Sequence, residues 1–230
     1  MECNNIAKKI IVELGETAQA SKSIITEFKE AHDNIVTFFD SLLESIYEDV
    51  PGLEDFHEYL KSTSFYTDPA SYKYHNAFFG GLLDHSLNVY MITKKKLENY
   101  GLTQDIPKRT AILVPLLHDV CKIGSYNVGF NWRKNSRGKW ENYPGYRFNT
   151  DLFPAGHGEK SVFIISEYIK LSKLEMLAIR WHSGAFEEGV LKRFMDASAL
   201  NEFVPIVHTA DFEASIIVES QGLVECLVEL

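Results

Sequence analysis

The 230-residue chain holds only three cysteines, Cys3, Cys121 and Cys226. Their odd number and wide spacing argue against a disulfide framework and for a reducing cytosol. Long apolar runs are missing as well, since no stretch approaches the ~20 residues of a membrane span. The opening Met1-Glu2-Cys3-Asn4-Asn5 has no basic region followed by an apolar stretch, so export is not expected and the cytoplasm is. Positive charge is in deficit: 23 Lys and Arg face 32 Asp and Glu, for a net charge of −9. That balance counts against wrapping a long nucleic acid, which rests on many phosphate contacts by Lys and Arg. A small anionic substrate remains allowed, because it needs only a local positive site, and a bound divalent cation can be the largest charge in one.

What is present is a helical pattern. The composition, 45% apolar and 24% charged, is that of a globular protein. Residues 4–20 and 23–47 read as helices, the second with Phe28, Ile35, Phe39, Leu42, Leu43 and Ile46 near helical period. It ends in Glu48-Asp49-Val50-Pro51-Gly52, where the proline restricts Val50. Residues 53–62 allow a short helix, and Asp68-Pro69 reads as a cap followed by a first-turn proline. His32 and His57 sit among acidic neighbours and are expected on solvated faces.

The chain is organised around Leu116-Leu117-His118-Asp119, at the end of an apolar run on a helix that starts at Pro107. Consecutive helical side chains point about 100° apart, so the pair can grip one ion only where the backbone is close. The dipeptide alone is weak evidence, for His32-Asp33 repeats it. Its company is more telling: His85 upstream, then His157, His182 and Asp211, each in a helical segment. Pro115 predicts a kink just before His118, which either aims the pair inward or marks a poorly fitting helix. Cys121 is read as a small buried apolar residue rather than a ligand.

His85 follows Gly80-Gly81-Leu82-Leu83-Asp84 on a helix that runs to about Tyr100 and stops at Gly101. The paired glycines allow another backbone or a ligand to come close. His157 opens a helix between Gly156 and Gly158, and has little reason to be packed in a core. His182 closes a helix over 174–181, where complementing the helix dipole is an alternative role. The last helix is expected over 199–219, with His208 and Asp211 on one face and His208 taken as a neighbour rather than a ligand.

Residues 125–155 break the helical pattern. Val128, Phe130 and Trp132, then Asn135-Ser136-Arg137-Gly138, then Trp140, Tyr143, Tyr146 and Phe148 predict two short strands around a turn. Between Ser125 and Thr150, Arg133, Lys134, Arg137, Lys139 and Arg147 stand against Glu141 alone. Two readings stay open: a solvated face, or a lid whose aromatic and basic residues meet a phosphate-bearing, base-containing ligand.

The spacing H…HD…D of His85, His118-Asp119 and Asp211 resembles that of metal-dependent HD-domain phosphohydrolases, over residues 75–215. His75-Asn76-Ala77-Phe78-Phe79-Gly80-Gly81-Leu82-Leu83-Asp84-His85-Ser86 is similar to the HHxxxGGLLEHS stretch of HD domains in certain 3′-5′ exoribonucleases and conjugative relaxases. Leu117-His118-Asp119-Val120-Cys121-Lys122 resembles LLHDIGK, and His208-Thr209-Ala210-Asp211 resembles the closing HxAD. The resemblance implies an all-α HD-domain helical bundle, here with a β-hairpin inserted at about 125–150. Residues 1–62 would be a helical segment packed on an HD domain over 63–230, the two forming one structural unit.

The resemblance also implies a phosphoester hydrolase with one or two divalent transition ions, Mn, Fe, Ni, Co or Zn, a choice that nitrogen and carboxylate donors suit. His85, His118, Asp119 and Asp211 match the ligands, His157 and His182 fall where two-metal members place further histidines, and Asp119 would bridge. Lys122 matches the family's lysine and becomes the leading phosphate contact. The family's paired histidines are reduced to His75-Asn76, and His75 is carried as a substrate contact together with Arg133, Lys134 and Arg137. The expected substrate is a small phosphorylated molecule, a nucleotide. The alternatives are a 3′-5′ nuclease on short oligonucleotides and a metal-stabilised nucleotide-binding module without turnover.

Overall fold

The computed structural model describes residues 21–149, 155–185 and 189–219. The helix expected over 4–20, Cys3 and Cys226 lie outside them. Among the described residues the chain is helical apart from one antiparallel hairpin. The helices are α1 Ser21–Glu44, α2 Leu53–Ser62, α3 Gly81–Asn99, α4 Lys108–Leu117, α5 His157–Ser166, α6 Lys173–Trp181, α7 Leu191–Leu200 and α8 Phe203–Glu213. Strands β1 Tyr126–Lys134 and β2 Trp140–Phe148 pair in register from Tyr126↔Phe148 to Lys134↔Trp140. No helix is long and apolar enough to cross a membrane among the described residues.

α3 is the central helix. Every residue from Gly81 to Tyr90 is buried, which a helix permits only when neighbours cover its whole circumference. Phe39 and Leu43 of α1, Phe56 and Leu60 of α2, Leu116 of α4 and Val207 of α8 share one continuous apolar core with it. Gly81 is needed for this packing: a Cβ there would stand 2.0 Å from the Asn76 carbonyl oxygen. The close approach expected at the glycine pair is therefore that of a backbone. Asn76 completes the tie by donating from its side-chain amide to Asp84 at 2.8 Å.

Four expectations are corrected. His57 is fully buried, not solvated, with Nε2 2.9 Å from both Asp40 and the Tyr66 hydroxyl and Nδ1 against the Tyr47 hydroxyl. His32 is half-buried, stacked on Phe28 and edge-on to Phe79. Asp68 caps no helix, because residues 64–80 are turns and bends. Its carboxylate instead accepts from the Ser64 hydroxyl and the Gly124 amide at 2.7 and 2.8 Å, tying that loop to the segment after Asp119. The single helix expected over 199–219 is interrupted at its start, since Asn201 is extended and separates α7 from α8. At its end it widens into a π turn over Ala214–Val218.

One polar clamp sets α4 against α6. Glu175, fully buried, takes a bidentate pair from Arg109 at 2.9 Å on each oxygen, the Thr110 hydroxyl at 2.9 Å and the Ser172 amide at 2.7 Å. The Ser172 hydroxyl returns the contact by accepting from the Glu175 amide, which completes a capping box. Arg109 and Thr110 begin α4 while Glu175 begins α6, so the clamp fixes the start of both helices that end at His118 and His182.

Burial alone would raise the Glu175 pKa, but the bonds from Arg109, Ser172 and Thr110 outweigh it and hold the carboxyl below its ordinary value. A lowered folded pKa stabilises above the unfolded value near ~4.3 and the contribution is lost as pH falls through the folded value. Glu175→Ala leaves Arg109 without its buried partner and is expected to cost about 3 kcal/mol at neutral pH. Urea unfolding across pH should show the gap to wild type narrowing in acid; a gap below about 1 kcal/mol at neutral pH contradicts the clamp.

Candidate metal centre

The site begins with two helix ends. α4 stops at Leu117, two residues past Pro115, and His118 forms its C-cap. The expected kink is thus an early stop. Carbonyls of a last helical turn lack intrahelical partners, and His118 Nδ1 donates to the Pro115 carbonyl at 2.8 Å. α6 repeats the arrangement: His182 is its C-cap, and its Nδ1 donates to the Ile179 carbonyl at 2.7 Å. A carbonyl can only accept, so in each neutral ring the proton sits on Nδ1 and Nε2 presents a lone pair.

His85, on α3, is oriented by a residue that sequence reasoning passed over. Its Nδ1 lies 3.0 and 3.1 Å from the two oxygens of Glu219, which is itself buried. Glu219 also takes a bond from His75 Nδ1 at 2.7 Å and from the Asn88 amide at 3.0 Å. On a continuous α-helix it would stand about 80° away from Asp211. The π turn, closed by the Glu219 amide on the Ala214 carbonyl at 2.9 Å, winds less per residue and turns it back toward the site. No local sequence signal announces that turn.

The lone pairs meet at Asp119, which is 1% exposed. His85 Nε2 stands 3.2 Å from His118 Nε2, 3.3 Å from Asp119 Oδ2 and 3.2 Å from Asp211 Oδ1. His118 Nε2 is 3.4 Å from Asp119 Oδ2. Donor atoms held ~2.0–2.2 Å from one ion stand about 3 to 3.5 Å apart. The second Asp119 oxygen, Oδ1, faces His157 Nε2 at 2.7 Å and His182 Nε2 at 3.3 Å. The cluster therefore has the geometry to hold a metal ion, with acceptors turned toward one another and their other faces satisfied from behind.

The electrostatics agree with a site built for positive charge. Burial would lower the His85 pKa, but the Glu219, Asp119 and Asp211 carboxylates raise it well above the usual imidazole value. Burial would raise Asp119, yet Lys122, His118 and His157 hold it well below the usual carboxylate range. Asp211 and Glu219 are likewise held low against their burial, by His85 above all.

His85, His118, Asp119, His157, His182 and Asp211, all expected as ligands, are brought together. Lys122, in the tight turn Val120–Lys122, places Nζ 2.7 Å from Asp119 Oδ2. His75 stands one layer out, its ring 4.9 Å from that of His85, joined to it through Glu219. His208 is a buttress, donating from Nδ1 to the His182 carbonyl at 2.7 Å. Cys121 is buried, as expected, and its Sγ lies 3.3 Å from His157 Nδ1.

Arg133, Lys134 and Arg137 are exposed. Arg133 is seven residues along β1 from Tyr126, about 23 Å at the rise of a strand. It pairs with Glu141 at 2.7 Å, and Lys134 lies over the Trp140 ring at 5.6 Å. The base of the hairpin is close, where Tyr126 feels Lys122, Asp119 and Cys121.

Comparison with protein-family models, with curated proteins and with solved structures finds no match to this chain.

If Glu219 orients His85, Glu219→Ala should weaken metal affinity by about 10- to 100-fold, with the helical circular dichroism retained. Glu219→Gln, which keeps a hydrogen-bond acceptor, should lose less. Calorimetric titration with Mn²⁺ or Zn²⁺ measures both, and unchanged affinity in the alanine variant contradicts the assignment.

Proposed function

We propose that the chain is a metal-dependent phosphohydrolase of the HD-domain type, acting on small nucleotide-like phosphoesters. The observation that carries the reading is the position of Asp119. One of its oxygens faces His85, His118 and Lys122, the other faces His157 and His182, all within 3.4 Å. This suits one ion on His85, His118, Asp119 and Asp211, and a second on His157, His182 and Asp119. Imidazole and carboxylate donors select Mn, Fe, Ni, Co or Zn over Ca²⁺. Such ions, when bound, acidify a water and polarise a phosphoryl oxygen.

The chain's own residues supply the rest. Lys122 is a buried ammonium whose pKa, lowered by burial, is raised beyond its ordinary value by Asp119. It stays charged through the physiological range and can exchange its Asp119 contact for a phosphate oxygen. His157 is the open side of the site, with 42% of its side chain exposed. Glu219 and the two helix-end carbonyls hold the imidazoles in place, so little reorganisation accompanies reaction.

A phosphate-release screen across nucleoside mono-, di- and triphosphates, cyclic nucleotides and short oligonucleotides, paired with elemental analysis, tests the reading. Mononucleotide hydrolysis is expected, with Asp119→Ala losing both metal and activity while keeping its helical content. Lys122→Ala should keep its metal and lose about 10²-fold in kcat/KM, on the scale of a single charge-stabilising donor. Arg133→Ala/Lys134→Ala/Arg137→Ala should leave turnover of the small substrate within about twofold, given the distance estimated along the strand. Hydrolysis confined to oligonucleotides would move the assignment to a 3′-5′ nuclease, and nucleotide binding without turnover in metal-replete protein would move it to a sensing module. Wild-type metal content in Asp119→Ala would remove the basis of all three.

A further inference from the structure

Cys121 is buried, and its sulfur faces an imidazole. It is the middle residue of the tight turn after Asp119, and its amide donates to the buried Ser161 hydroxyl at 3.2 Å, which pins the backbone to α5. Sγ, in a residue 3% exposed, lies 3.3 Å from His157 Nδ1 and 3.6 Å from Nε2. Gly158 lets the start of α5 close on the end of α6, where a Cβ would stand 2.3 Å from the Arg180 carbonyl oxygen. That contact sets the His157 and His182 rings 5.3 Å apart on the Oδ1 side of Asp119. Donor atoms of Asp119, Cys121 and His157 all lie within 4.8 Å of one another, a grouping that could hold a metal ion.

We propose that Cys121 is a thiolate ligand on the Oδ1 side of Asp119, making with His157 and Asp119 a three-donor site for a thiophilic ion. The inference deepens the proposed function, but it concerns binding and does not require hydrolysis. On ligation the S–H bond breaks, its proton passes to the buffer, and the sulfur lone pair is shared with the ion. The two sides of Asp119 then differ in softness. The Oδ2 side offers His85, His118, Asp211 and Asp119, nitrogen and oxygen only, and accepts Mn²⁺. The Oδ1 side adds sulfur and favours Zn²⁺ or Co²⁺.

Cobalt titration of the full chain carrying Cys3→Ser and Cys226→Ser tests this, because Cys121 is then the one thiol present. A sulfur-to-cobalt charge-transfer absorption in the near ultraviolet is expected, together with loss of alkylation at Cys121 on metal loading. Adding Cys121→Ser should remove the band and weaken one Zn²⁺ equivalent by at least about tenfold, with Mn²⁺ binding retained. Cobalt bound without the band overturns the thiolate assignment and leaves the phosphohydrolase reading to the phosphate-release screen. A band that survives Cys121→Ser overturns it too, as does a double-serine protein that binds no cobalt.

Discussion

An imidazole that donates from Nδ1 has one lone pair left to direct, and here three histidines direct it at one carboxylate. His118 and His182 donate to carbonyls left over at helix ends, and His85 donates to Glu219. These backing contacts make the cluster a set of acceptors facing acceptors at 3.2 to 3.4 Å. Such a set repels itself unless positive charge lies among its members. Lys122 and protons on imidazoles can supply part of it. A divalent ion supplies it at the spacing the donors hold.

The rest of the fold serves that convergence. α3 is buried on all sides and carries His85 into the centre. The Arg109–Glu175 clamp joins the starts of α4 and α6, and these are the helices whose ends carry His118 and His182. α5 presses its first turn on the end of α6 through Gly158, which brings His157 beside His182. The π turn after α8 returns Glu219 to the back of His85. Five separate chain segments thus meet at Asp119, and each is held by a contact outside the donor set.

Much of this was legible in the chain. The helices around the His-Asp pair and the hairpin follow from apolar period and turn residues, and the six candidate donors are those that the resemblance to HD domains implies. What was not legible depends on long-range closure. Glu219 gains its role only through a π turn and a partner 134 residues away. His57 reads as surface from its acidic neighbours, yet it is enclosed by Asp40, Tyr47 and Tyr66 from three segments. Cys121 reads as a small apolar residue because nothing near it in sequence shows that α5 will bring His157 to its sulfur. Asp68-Pro69 carries the local mark of a helix start, but the Gly124 amide claims the carboxylate.

Anomalous diffraction from crystals grown in Mn²⁺ or Zn²⁺, with data on both sides of the metal edge, addresses the central claim directly. The account predicts a peak within bonding distance, ~2.0–2.3 Å, of His85 Nε2, His118 Nε2 and Asp119, with Glu219 still on the far nitrogen of His85. Metal-replete crystals with no peak in the cluster, or with the ion bound only by surface residues, would contradict it.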